Sequence, residues 1–157
     1  FRAIGFNPEE VVSASWEDVN AYRDGIEITV ESKYPTGTLL QNNKTGGVYW
    51  VSLGEKAPLT DAVFLKTKFK NKPITQVNPE VLDKYITIDP IMFEDGELLK
   101  SDTSPAVYIL DKNKKRAIVS GEVFEALGYK WNNIISVPPR VLAMYDFGNP
   151  LTGEYEE

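Results

Sequence analysis

Short bursts of apolar residues, each closed off by glycine, proline or small polar residues, run the length of the chain and predict brief strands and brief helices. In the C-terminal part, residues 97–100 read as a strand and the polar 101–105 stretch as a turn. Residues 106–110, rich in β-branched and aromatic types, form a second strand. Residues 111–114 supply turn chemistry, and 116–119 return as the other arm of a hairpin. A short helix is predicted next. Ser120 is its N-cap, Val123, Phe124 and Leu127 share one face, and Gly128 suits the left-handed residue beyond its end. Residues 133–137 read as a further strand, and Pro139 opens a helical turn carrying Val141, Leu142 and Tyr145.

The same order of bursts occurs earlier in the chain. Gly37-Thr-Leu-Leu-Gln41 matches Gly96-Glu-Leu-Leu-Lys100, and Val48-Tyr-Trp-Val51 matches Val107-Tyr-Ile-Leu110, both at a spacing of 59. Further on the spacing becomes 60, which sets Phe64 against Phe124, Phe69 against Tyr129, Pro79 against Pro139 and Tyr85 against Tyr145. The extra residue is expected in the turn of the later hairpin, between residues 108–110 and 116–119, where loop length changes without moving the facing side chains. At a spacing of 123, Phe1, Gly5, Phe6, Val11, Val19 and Tyr22 align with Phe124, Gly128, Tyr129, Ile134, Leu142 and Tyr145. The N-terminal residues therefore read as the second half of a third copy, and a natural protein continuing upstream of Phe1 is expected.

Local signals agree at equivalent positions. Thr60 stands where Ser120 caps, Asn78-Pro79 forms a cap and helix start, and Ser15 with Asp18 resembles a capping box ahead of Val19 and Tyr22. The predicted organisation is a C-terminal half-repeat plus linker over 1–34, a complete repeat over 35–92, and a complete repeat with a C-terminal tail over 93–157. The fold class is α+β: tandem repeats of strand, β-hairpin, short helix, strand and helical turn, with mainly antiparallel sheet. A unit this small buries little alone, so neighbouring copies are expected to share a core. Phe1, Phe64, Phe124 and Leu127 are expected in it. Phe1, Ile4, Phe6, Val11, Val12, Val19 and Tyr22 are expected to pack on the following copy, with Ile26, Ile28 and Val30 adding a strand. The alternative is an open sheet edge that recruits another chain, giving self-association.

Composition narrows the function. The 42% hydrophobic and 25% charged content is that of a folded globular chain. No apolar run is long enough for a membrane-spanning helix, so no membrane span is expected. A net charge of −6 argues against nucleic acid, which proteins meet with a basic face. The one basic run, Lys112, Lys114, Lys115 and Arg116, sits at a predicted hairpin end and reads as a solvated turn.

Candidate chemistry is sparse. With no cysteine and no histidine there is no disulfide framework, no thiolate metal site and no triad of the usual kind. The acids Asp95, Glu97, Asp102, Asp111 and Glu122 fall in turns and at helix starts, where carboxylates cap amides and solvate the surface. No phosphate loop or metal-ligand motif is present. No catalytic, cofactor-binding or metal-binding residue is assigned, and the chain is not expected to be an enzyme. Most aromatics recur at matching positions and read as packing. The tryptophans do not: Trp16 aligns with Pro79 and Pro139, Trp131 with Pro8 and Asn71, and Trp50 with Ile109. Such variable tryptophans near turns are candidate stacking platforms for sugars or partner proteins.

Taken together, Ala106-Val-Tyr-Ile-Leu110, Lys114-Lys-Arg-Ala-Ile118, Val123-Phe-Glu-Ala-Leu-Gly-Tyr129 and Trp131-Asn-Asn-Ile-Ile-Ser-Val137 resemble repeats that occur in series on secreted and cell-surface bacterial proteins. These are often found beside cell-wall enzymes. The middle copy departs from the pattern, with Lys68 in place of Gly128 and Lys72-Pro73 in place of Asn132-Asn133. The resemblance implies an extracellular or cell-surface location and a structural, adhesive or anchoring role. The expected partner is a cell-wall or surface polymer or a neighbouring surface protein. It supplies no ligand and no functional residue.

Overall fold

The structure, a computed structural model, describes residues 11–24, 27, 29 and 37–153. The chain divides into two units, Phe1–Ile91 and Met92–Glu157. In the first, helix α1 (Trp16–Asn20) is followed by β1 (Thr38–Asn42), β2 (Val48–Ser52), β3 (Glu55–Leu59), α2 (Val63–Lys66), β4 (Ile74–Val77), α3 (Pro79–Leu82) and β5 (Ile86–Thr87). The second holds β6 (Leu98–Ser101), β7 (Val107–Asp111), β8 (Lys114–Ala117), α4 (Gly121–Ala126), β9 (Ile134–Val137), α5 (Pro139–Leu142) and β10 (Asp146–Phe147). The class is α+β, with two five-stranded sheets and a few short helices.

The first sheet has the order β4-β1-β2-β3-β5, and the second, read from its far edge, has β9-β6-β7-β8-β10. In each, three central strands pair antiparallel and both edge strands pair parallel. The parallel edges were not legible in the sequence. They arise because each edge strand is reached by a helical crossover, and a crossover returns the chain in the same direction.

Register also corresponds. Leu39 faces Trp50 and Ile74 in one sheet, and Leu98 faces Ile109 and Ile134 in the other. The β2–β3 and β7–β8 hairpins each close through two residues. Leu53 and Gly54 in one, and Lys112 and Asn113 in the other, have positive φ, the backbone that matches the twist of paired strands. The extra residue is therefore not in the hairpin turn, contrary to expectation. The spacing of 59 persists from Ser52–Glu55 to Asp111–Lys114, and the change to 60 falls between β3 or β8 and the helix that follows. A two-residue turn of this type cannot absorb an insertion without breaking its register, whereas a helix start can. The helix start is in fact remodelled. Ser120 Oγ accepts the Val123 N–H at 3.2 Å, as predicted, but in the first unit Asp61 Oδ1, not Thr60, accepts the Val63 N–H, at 2.7 Å.

Adjacent residues on a strand point to opposite faces, and Leu39 and Leu40 are 1% and 0% exposed. Leu98 and Leu99 are likewise buried at 4% and 0%. Both faces of each sheet must therefore be covered. In the second unit Phe124 of α4 packs with Leu98, Val107 and Ile109 on one face. In the first, Leu82 of α3 packs with Leu40 and Val51 on the other. The crossover helices thus lie on opposite faces.

A lysine fastens each second crossover. Lys56 Nζ donates to the Leu82 carbonyl at 2.7 Å, and Lys115 Nζ donates to the Leu142 carbonyl at 2.8 Å. A four-residue helix leaves its last carbonyls without intrahelical donors, and a cation there also meets the negative end of the helix dipole. Lys115 is buried, and desolvation lowers its pKa, partly opposed by the nearby charge of Asp146. Tyr145 locks the other end of the unit. Its hydroxyl accepts the Phe93 N–H at 2.6 Å and donates to the Phe93 carbonyl at 3.3 Å. Burial pushes its phenol up to about 12.

Two further expectations are corrected. Phe64 and Phe124 are buried, but Leu127 is exposed, because α4 ends at Ala126 and a helix of six residues turns only Phe124 fully into the core. Val11, Val12, Val19 and Tyr22 do not pack on the following strands; they are exposed, and α1 buries none of its residues. Phe1, Ile4, Phe6, Ile26, Ile28 and Val30 lie outside the described residues.

Removing the buried ammonium leaves the Leu142 carbonyl without its side-chain donor. Lys115→Ala is expected to destabilise the second unit by about 1–3 kcal/mol, while Lys114→Ala, at an exposed position, stays within about 0.5 kcal/mol of the parent. Urea unfolding followed by amide NMR of each unit measures both, and equal effects at the two lysines would contradict the role given to Lys115.

Candidate functional site

Where the two units agree, the shared residues are those that build the sheet. Where they differ, the fold places no common demand, and Trp131 stands at such a position. In the first unit the chain after α2 keeps turning until Asn71, which takes a left-handed φ of 65°. In the second, Gly128 takes that conformation earlier, with φ 78°, and the chain turns out of the helix. Trp131 then opens a 3-10 turn, Trp131–Asn133, directly before β9.

The indole is held on two sides. It stacks on Phe124 with ring centroids 4.2 Å apart, and its Nε1–H donates to Glu125 Oε1 at 3.0 Å. It nonetheless remains 51% exposed. Beside it lies a groove of about 320 Å³ lined by Pro105, Val107, Ile118, Ser120 and Phe124 together with the indole itself. Gly121, in the region of the extra residue, contributes no side chain to the wall next to the indole. A fixed, half-open aromatic beside an apolar groove is what a flat ligand face needs in order to stack.

The other two tryptophans are placed differently. Trp50 is partly buried in β2 and stacks on Phe69 with centroids 4.8 Å apart, while the Lys72 ammonium lies 5.3 Å from its ring centre. Gly37 makes room for it: φ is +81°, and a Cβ there would fall inside the indole. Trp50 is thus engaged within its own unit. Trp16, at the first position of α1, is 81% exposed. Trp16 and Trp50 belong to the first unit and Trp131 to the second, and the contacts of Trp50 and of Trp131 are each made within their own unit.

The basic run is also divided. Lys115 is buried under α5, and Arg116 pairs with Asp111 at 3.0 Å and donates through Nε to the Asn149 carbonyl at 2.8 Å. Lys112 and Lys114 remain exposed. Sequence reading missed Phe147, which is 70% exposed on the edge strand, with the Lys115 ammonium 4.2 Å from its ring centre. Its aromatic character was visible, but its exposure depends on the two-residue strand β10. Among the described residues no group of three or more acidic side chains is arranged to hold a metal ion, and no helix is long and apolar enough to cross a membrane. Compared with protein-family models and with curated protein sequences, the chain matches none.

Single-tryptophan variants should be quenched by acrylamide in the order Trp16, Trp131, Trp50. Gly37→Ala should raise the quenching of Trp50 by displacing its indole. Trp50 quenched as readily as Trp16 in the parent background would show that its packing against Phe69 does not hold.

Proposed function

We propose that this chain is a non-catalytic module of a larger cell-surface protein, built from successive copies of one supersecondary unit and serving a structural, adhesive or anchoring role. The observation that carries the repeat reading is register: ladder pairs of the first sheet map onto those of the second at the sequence spacings of 59 and 60. The two lysine-to-carbonyl bonds correspond at the same spacings. The surface placement is supported by the resemblance of the sequence to repeats of secreted and cell-surface bacterial proteins.

A second reading, favoured by the half-exposed and oriented Trp131, is that the module holds a cell-wall or surface glycan against that indole. Sugars present flat C–H faces that stack on tryptophan, and the adjoining groove would receive the neighbouring ring.

Protease treatment of intact producing cells, followed by detection with an antibody to this chain, tests the first reading. The parent polypeptide is expected to fractionate with the envelope and to be trimmed from outside. Full protection in intact cells together with recovery in the cytosol would remove it.

Titration of the purified chain with soluble peptidoglycan fragments and wall polysaccharides, followed by Trp131 emission, tests the second. Binding that weakens about tenfold or more in Trp131→Ala is expected, a loss of about 1.4 kcal/mol or more. A flat response to every polymer would end the stacking model.

A further inference from the structure

The two units part ways at the glycine ahead of β1 and β6. In the first, the Trp50 indole lies against Gly37, stacked on Phe69 and approached by the Lys72 ammonium. Trp50 faces Leu39 across the ladder, and Ile109 faces Leu98 in the same register, so Ile109 is its counterpart. An isoleucine is too short to reach the glycine as the indole does. Ile109 stays in the core cluster with Leu98, Val107 and Phe124. Gly96 takes the same left-handed backbone as Gly37, with φ +88°, yet nothing lies within 4 Å of the space its Cβ would enter, and the residue is exposed.

A cavity of about 440 Å³ lies beside Gly96, and its lining keeps the two kinds of group that clamp Trp50. Tyr129 stands where Phe69 does and is propped against Phe124, with ring centroids 5.5 Å apart. Lys130, exposed and in the lining, supplies an ammonium as Lys72 does for Trp50. Gly128, like Gly96, has nothing within 4 Å of the space its Cβ would enter, so neither narrows the cavity with a side chain. Lys130 and Glu97 bring one charge of each sign, so the lining selects no ion. Asn133 carries an amide oxygen that can accept an indole N–H.

We propose that this cavity receives a tryptophan side chain of a partner polypeptide, in the place that Trp50 fills from within the first unit. The proposal rests on the correspondence of the two units that carries the repeat reading, and it concerns a different surface from the groove beside Trp131. The incoming ring stacks on Tyr129, meets the Lys130 ammonium, and donates its N–H to Asn133. Burial of one ring holds a free ligand only weakly, so the ring acts as an anchor on a larger polypeptide surface, the usual setting of a tryptophan that dominates an interface. The first unit needs no such partner, because its own indole already occupies the place.

The probe is N-acetyl-tryptophanamide, titrated into the full chain and followed by amide NMR. The amides of Gly96, Gly128 and Tyr129 are expected to shift and to saturate with a Kd of about 1 mM. Lys130→Ala, at an exposed position, is expected to weaken that binding about two- to fivefold. Ile109→Trp supplies the ring from within: its new indole should give NOE contacts to Tyr129 and Gly96, and the shifts caused by the probe should vanish. If those contacts form but the parent does not respond to the probe, the repeat reading stands and the docking proposal is overturned. If Ile109→Trp does not fold, or its indole makes no contact with Tyr129, the correspondence on which the proposal rests is lost and the proposal with it. Shifts of the same amides by N-acetylglucosamine oligomers and not by the indole overturn it in favour of a sugar site.

Discussion

Two adjacent leucines at the centre of each sheet, Leu39 with Leu40 and Leu98 with Leu99, must both leave water although they point to opposite faces. Burying each is worth roughly 1.5–3 kcal/mol, a large share for a unit of this size. One covered face is not enough. The chain meets the demand by crossing the sheet twice, first from the third strand to one edge and then back to the opposite edge, laying a short helix on each face in turn. The strand order, the parallel edges and the two crossover helices all follow from that requirement.

Helices this short are not stable on their own, since nucleation costs more than one turn of hydrogen bonds returns. They are held by what they cover and by side chains from the sheet. Lys56 and Lys115 show the compromise involved: an ammonium is drawn under a helix to reach its last carbonyls, and the protein accepts its partial desolvation. In the second unit Tyr145 performs a comparable service for the chain entering the sheet, with its hydroxyl bonded to both backbone groups of Phe93. These polar contacts fix where the apolar surfaces meet, and the apolar surfaces supply most of the energy.

The two units also act as an internal control on function. A residue required by the architecture has a counterpart, as Phe64 has Phe124 and Lys56 has Lys115. Trp131, the glycine beside it and the exposed Phe147 have none of their own kind, since Asn71 and Thr87 stand opposite Trp131 and Phe147. An indole left half in water and held by Phe124 and Glu125 gains less from burial than a core aromatic would, so packing alone is a weak reason for it.

The sequence by itself determined the longer strands, the helices and their order, but not the two-residue edge strands β5 and β10, because the former rest on local chemistry: turn residues, caps, the alternation of strands and recurrence at a fixed spacing. Ser120, the Ser15–Asp18 box and Gly128 were legible for that reason, and so was the burial of Phe64 and Phe124. Tertiary structure alone decided the parallel edges, the helix on each face, the burial of a lysine within an apparently solvated basic run, and the fate of each tryptophan. These depend on which strand a crossover reaches and which side chain lies across from another. Trp50 sits in an apolar strand and Trp131 beside a turn, and both were candidate stacking platforms, yet one is enclosed by Phe69 and Lys72 while the other is propped open by Phe124 and Glu125.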